Sequence, residues 1–240
     1  MEIHPKSYSV SIIVRGSFNP SIFQPWWLVH QGLVTGEEAE VIDSPVISQK
    51  LAKFTFPDGF AVKVEPHYYQ ISTQVTPFVR ISDLTQKIFG QILAETPITA
   101  FGINLEVEFP LTSDENRNRL GKLLAPQAVW GKWGESLDSE DLATRGGMIH
   151  IAMKEVVRSN RENGYFRVEV RPGSDETIIV LTNDHFDFGT PWTNVEKGDS
   201  AAKMLIMRKE FDDSLKKSES LVDHIMHLAQ HGEETLRERT

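Results

Sequence analysis

The pattern Phe60-x-Val62-x-Val64-x-Pro66 returns as Phe166-x-Val168-x-Val170-x-Pro172. This repeated signature constrains the fold more than any other feature of the chain. Bulky residues at every second position, closed by proline, describe a half-buried strand with one face turned to a core. Three further echoes keep the same order: Phe18 and Pro20 with Phe109 and Pro110, Pro25-Trp26-Trp27 with Pro126, Trp130 and Trp133, and Thr76-Pro77-Phe78 with Thr190-Pro191-Trp192. Similar residues beside similar elements predict a tandem duplication. The expected fold class is α+β: a β-α-β-β-β-α unit over residues 1–96 and a second over 97–240, as two repeats or one continuous domain. The antiparallel sheet would be covered by helices on one face only.

The element readings follow from local chemistry. Tyr8–Arg15, Ile47–Phe56, Phe60–Val64 and His67–Val75 read as strands, with Pro57-Asp58-Gly59 as a turn. Thr35 and Ser82 are positioned to cap helices over 35–42 and 82–94. The second half offers a strand over 98–109, a helix capped by Ser113, a long connection over 126–147, and strands over 148–157, 165–171 and 177–182. Asp199–His231 carries an apolar stripe at Phe211, Leu215, Ser218, Val222, Ile225 and Ala229, the spacing of an amphipathic helix. A helix of that length spans roughly 50 Å, so part of it is expected to reach beyond the sheet and pack on a partner chain.

Composition narrows function by exclusion. The 240-residue chain has no cysteine, which removes disulfides, thiol nucleophiles and thiolate metal sites. No run approaches the roughly 20 apolar residues of a membrane span, and the start MEIHPKS lacks a secretory pattern. These features lead to the expectation of a cytoplasmic protein without a membrane anchor. The net charge of −9 disfavours general nucleic-acid binding. A local basic strip, Lys154, Arg158, Arg161, Arg167 and Arg171, is interrupted by Glu155, Glu162 and Glu169. It reads as a solvated sheet face.

The element order is similar to the arch-shaped duplicated sheets of TATA-binding-like folds and to helix-grip domains, a likeness that carries no residue across. The run TPITAFGINLEVEF over 96–109, with GKLLAPQAVW over 121–130, resembles a family of uncharacterised conserved bacterial proteins. That resemblance implies no catalytic residue.

Candidate sites are few. Phosphate-loop, dinucleotide, zinc-protease and nucleophile-elbow motifs are all absent. Asn183-Asp184-His185-Phe186-Asp187 follows the strand read over 177–182. Asp184, His185 and Asp187 could hold a divalent metal or position a general base at the strand end, or form an ordinary polar turn. His227 and His231, one helical turn apart with Asp223 and His224 nearby, could chelate a metal or respond to pH, or lie on a wet helix face. Trp26, Trp27, Trp130, Trp133 and Trp192 fall in connections and read as binding anchors or as plugs at the ends of the sheet. His67-Tyr68-Tyr69 offers ring surfaces on a strand, though without an evident basic surround. The favoured expectation is a non-enzymatic binding or assembly module. It would recognise a protein partner or self-associate through the C-terminal helix, and no cofactor is expected. The alternative is a metal-assisted hydrolase or small-ligand binder built on Asp184, His185 and Asp187.

Overall fold

The computed structural model describes residues 4–42, 44–111, 113–139, 141, 145–156, 164–174, 176–188 and 200–232. The first half contains β1 (Ser7–Gly16), α1 (Pro25–His30), α2 (Gly36–Glu40), β2 (Val46–Ile47), β3 (Ala52–Thr55), β4 (Phe60–Glu65), β5 (Tyr68–Thr73) and α3 (Val79–Lys87). The second contains β6 (Ile98–Pro110), α4 (Asp114–Leu124), α5 (Gly131–Ser136), β7 (Ile151–Glu155), β8 (Tyr165–Pro172), β9 (Thr177–Asp187) and α6 (Ser200–His231). The strands form one antiparallel sheet in the order β2-β3-β4-β5-β1-β6-β9-β8-β7. Each half places its first strand at the centre. β5, β4 and β3 then step outward from β1, as β9, β8 and β7 step outward from β6. The halves therefore share one connectivity and meet along the β1–β6 pair, where Ile12 faces Ile103 and Ser11 faces Asn104.

Alternation decides which residues enter the core. Val10, Ile12 and Val14 of β1, Phe60, Val62 and Val64 of β4, and Ile103, Leu105 and Val107 of β6 are buried. They face a helical layer of α3, a π-helical turn over Ile88–Ile92, and α6. α6 runs unbroken for 32 residues. Its buried positions extend from Ser200 through Met204, Met207, Phe211 and Val222 to Ala229. Buried positions thus recur along the whole helix, which packs on α3, the π turn, β6 and α4 of its own chain. Gly90 brings the π turn close to α6, since an added Cβ there would sit 3.5 Å from Met204 Cβ. The hydroxyl of Ser200 donates to the carbonyls of Phe89 and Ala94, and Lys203 Nζ donates to Ile98 O at 2.8 Å. At the other end, Arg119 of α4 donates to Ala229 O and Gln230 O, placing a cation where the α6 dipole is negative.

Several local readings change. The strand expected over 47–56 is two strands separated by a turn, in which Ser48 Oγ accepts from Lys50 N and Leu51 N. Ser82 is not a cap. α3 starts three residues earlier, at Val79 with Phe78 as its N-cap, and Ser82 is buried with its hydroxyl on Met207 Sδ at 3.6 Å. Thr35, by contrast, caps α2 in a reciprocal box with Glu38. Ser113 caps α4 by accepting from Asn116 N. Gly59 sits in the 57–59 turn at φ +86°. Arg80 binds that turn to the rest of the half through Asp58, Glu38 and the Phe60 ring. Asp199, the first residue of the helix expected over 199–231, lies outside the described residues.

Candidate functional site

The sheet face opposite the helices carries no described helix, and strand parity fixes what it displays. β9 continues through Asn183–Asp187 and pairs with β6 as far as Ala100, so this polar run is strand rather than a turn after one. Adjacent strand residues point to opposite faces. Asp184 accordingly turns into the helical layer, where it is 1% exposed and accepts from Ser214 Oγ of α6 at 2.6 Å. His185 and Asp187 point to the open face. The expected convergence of Asp184, His185 and Asp187 is therefore corrected: the backbone of β9 separates the first from the other two. Among the described residues, no group of three His, Asp or Glu side chains is arranged to hold a metal ion.

His185 instead belongs to an arrangement that the linear sequence does not display. Its ring stacks on Tyr165 of β8 at 4.5 Å, and Lys154 of β7 sits 4.1 Å from the same tyrosine ring. Across the sheet, Arg15 of β1 lies 4.8 Å, and Lys63 of β4 5.3 Å, from the Tyr68 ring. Tyr69, next along β5, is fully buried against Phe89. The pair expected to offer stacking surface thus offers one ring. That ring does have basic neighbours, which the sequence alone did not reveal. Lys63 and Arg167 are neutralised by Glu65 and Glu169. Among the described residues, neither Arg15 nor Lys154 has a carboxylate within ion-pair distance. Burial holds the His185 pKa below the usual imidazole value; Asp187 opposes that shift, and Lys154 and Arg15 reinforce it. Burial also raises the hydroxyl of Tyr68.

The basic strip resolves by the same parity. Lys154 and Arg167 are direct cross-strand partners on the open face, whereas Glu155 turns to the helical side and pairs with Lys217 at 2.5 Å. Arg158 and Arg161 lie outside the described residues. His227 and His231 are exposed, with ring centroids 4.4 Å apart. His224 is half-buried rather than wet, and its Nδ1 is enclosed.

The tryptophans divide between core and surface. Trp27 packs on the core against Phe23 at 5.5 Å, while Trp26 is 56% exposed. Trp130 and Trp133 are both exposed and meet edge to face at 5.7 Å. They sit on α5 and the 3-10 turn before it, a small lobe tied to the body by Lys122–Asp138 and by Gly146 N donating to Leu137 O. Trp192 lies outside the described residues.

Two clefts lie away from this face. One of about 330 Å³ lies between α4 and residues 145–149. Its guanidinium groups are engaged, Arg117 by Asp114 and Arg145 by Ser139 O. A more apolar cleft of about 520 Å³ is lined by Phe18, Phe23, Leu93 and Pro97. No family model and no curated protein matches the chain. The surfaces themselves are therefore what bears on function.

Proposed function

We propose that this chain is a non-enzymatic binding module that takes up an extended segment of a protein partner along the outer edge of β7. The observation that carries this reading is the character of that edge. β7 ends the sheet, and no described strand lies beyond it. It shows apolar side chains where edge strands normally show charge: Met153 is 71% exposed, with Ile149 and Val156 exposed on either side of the strand. Unpaired backbone groups beside exposed apolar side chains favour an added strand.

The two faces specify the occupant. Ile151 and Met153 share the helical side with Val170 and Val168, and Ala152 and Lys154 share the open side with Glu169 and Arg167. A fitting segment alternates apolar with acidic residues, its acids beside Lys154, since Arg167 is already paired with Glu169. A second copy of β7 would bring its own Lys154 to that side, so charge favours a different chain over self-association. Since α6 is committed to its own sheet, the interface is placed at the edge rather than on the helix. The split between Asp184 and His185 likewise favours binding over catalysis.

The test uses the full chain and two synthetic ten-residue peptides, one alternating valine with glutamate and one alternating valine with lysine. NMR shifts from the acidic peptide should concentrate on β7 and β8. Lys154→Glu should reverse the preference, and Met153→Lys should weaken binding about tenfold or more, a loss of 1.4 kcal/mol. Equal response to both peptides, shifts centred elsewhere, or a dimer in light scattering that Met153→Lys dissolves would overturn the reading.

A further inference from the structure

α4 and the chain leading into β7 enclose the cleft of about 330 Å³, close to the lower bound of small-ligand sites, about 300 Å³. Two close approaches shape it. A Cβ added to Gly147 would lie 3.4 Å from Asn118 Oδ1, and one added to Gly121 would lie 3.5 Å from Met148 Cβ. Both walls are anchored. α4 is capped by Ser113 and tied to α6 through Arg119. On the other wall, Gly146 N donates to Leu137 O, and Arg145 Nε donates to Ser139 O at 2.8 Å.

We infer that this cleft binds a small carboxylic acid with an apolar body, its carboxylate on Arg145. The Ser139 contact occupies only Nε, and among the described residues no acceptor is bonded to the two terminal nitrogens of that guanidinium. An end-on fork of two N–H donors matches the two oxygens of a carboxylate. Arg145 is half-buried, which makes its attraction for an anion stronger than at an open surface. Asn118 is half-buried on the same cleft. Its side-chain amide has no hydrogen-bond partner among the described residues and can donate to the same anion.

Charge and lining set the ligand class. The charged residues lining the cleft are Asp114, Arg117 and Arg145. Arg117 is paired with Asp114, which leaves the charge of Arg145 and favours a monoanion over a phosphate dianion. Asp138, outside this lining, is held below the usual carboxylate range chiefly by its bond to Lys122 at 2.7 Å, with Arg145 a minor contributor. Met148, Ile149, Pro172 and Ile178 supply the apolar lining for the body of the acid. Of the residues invoked at the β7 edge, only Ile149 also lines this cleft, so the two sites can be tested apart.

The experiment follows the backbone amides and arginine side-chain resonances of the full chain by NMR at neutral pH. Hexanoate is added, with hexanol and an acetylated tripeptide ending in leucine as comparisons. Hexanoate should shift Gly147, Met148 and the Arg145 Nε–H saturably, with a dissociation constant of about 1 mM or tighter. Hexanol should leave Arg145 unmoved. Arg145→Gln should weaken binding about tenfold or more. Arg145→Lys, which keeps the charge but not the fork, should weaken it less. Gly121→Leu should block the cleft by bulk, and Asp114→Asn should tighten binding. Urea midpoints close to the parent would show that the fold of each variant is intact. Met153→Lys, which disables the β7 edge, should leave hexanoate binding unchanged. Equal shifts from hexanoate and hexanol, a response to the tripeptide alone, affinity indifferent to Arg145→Gln, or no saturation by about 10 mM would overturn the assignment.

Discussion

Asp184 shows how a polar residue can occupy the core of a sheet. Its carboxylate is buried and receives the Ser214 hydroxyl from α6. Ser214→Ala should lower stability by about 1–3 kcal/mol, the cost of withdrawing a donor from a buried acceptor, read as a lower urea midpoint with unchanged slope. His185, on the other side of the same strand, gives a pH signature. Its folded pKa lies below the unfolded value, so the unfolded chain takes up the proton first as pH falls. This contribution to stability is complete above about pH 6.5, the ordinary imidazole value, and is lost as pH drops through the depressed folded value. Against His185→Gln, the parent should show a steeper fall in thermal midpoint below pH 6.5 and a parallel profile above it. Parallel profiles throughout would contradict this.

At the scale of elements, legibility followed the strength of local chemistry. The α2 and α4 caps, the Gly59 turn, the alternating strands and the α6 stripe were all readable, because each rests on neighbours within a few residues. What escaped depended on partners far along the chain. Local pattern ends β9 at Thr182, because Asn183, Asp184 and His185 look like a turn. It continues because β6 supplies pairing to Ala100 and α6 supplies a donor for Asp184. Ser82 resembled a cap until α6 placed Met207 beside it. The ring contacts of the open face escaped for the same reason. They join residues of different strands, Arg15 with Tyr68 on one side and Lys154 with Tyr165 and His185 on the other, and only the strand register sets them side by side. The α5 lobe yields a further prediction. A Cβ at Gly134 would collide with the Gln127 carbonyl, and α5 packs mainly on the turn that precedes it. Gly134→Ala should therefore alter the fluorescence of Trp130 and Trp133 while leaving the global urea midpoint nearly unchanged. A large fall in midpoint would show the lobe to be integral to the core.

For the whole molecule, α6 and the β1–β6 pair decide cooperativity. α6 packs on α3, the π turn, β6 and α4, so both halves share one cover. Phe211 lies mid-helix, 1% exposed. Phe211→Ala should cost about 3–5 kcal/mol and should shift near-UV circular dichroism and tryptophan fluorescence together in one transition. Separate transitions for the two halves would disprove the single unit. The halves share one strand order about the β1–β6 pair, and α6 covers both.

The order in which the residues are synthesised gives this arrangement a further meaning. The ribosome delivers β1 first and α6 last, yet α6 is the surface against which the central strands close. At about 5–20 residues per second, the nascent polypeptide spends many seconds with sheet-forming segments in hand and no lid to receive them. A protein wired in this way closes its sheet only once α6 has emerged, and until then its unfinished apolar strands are natural clients for a holding chaperone.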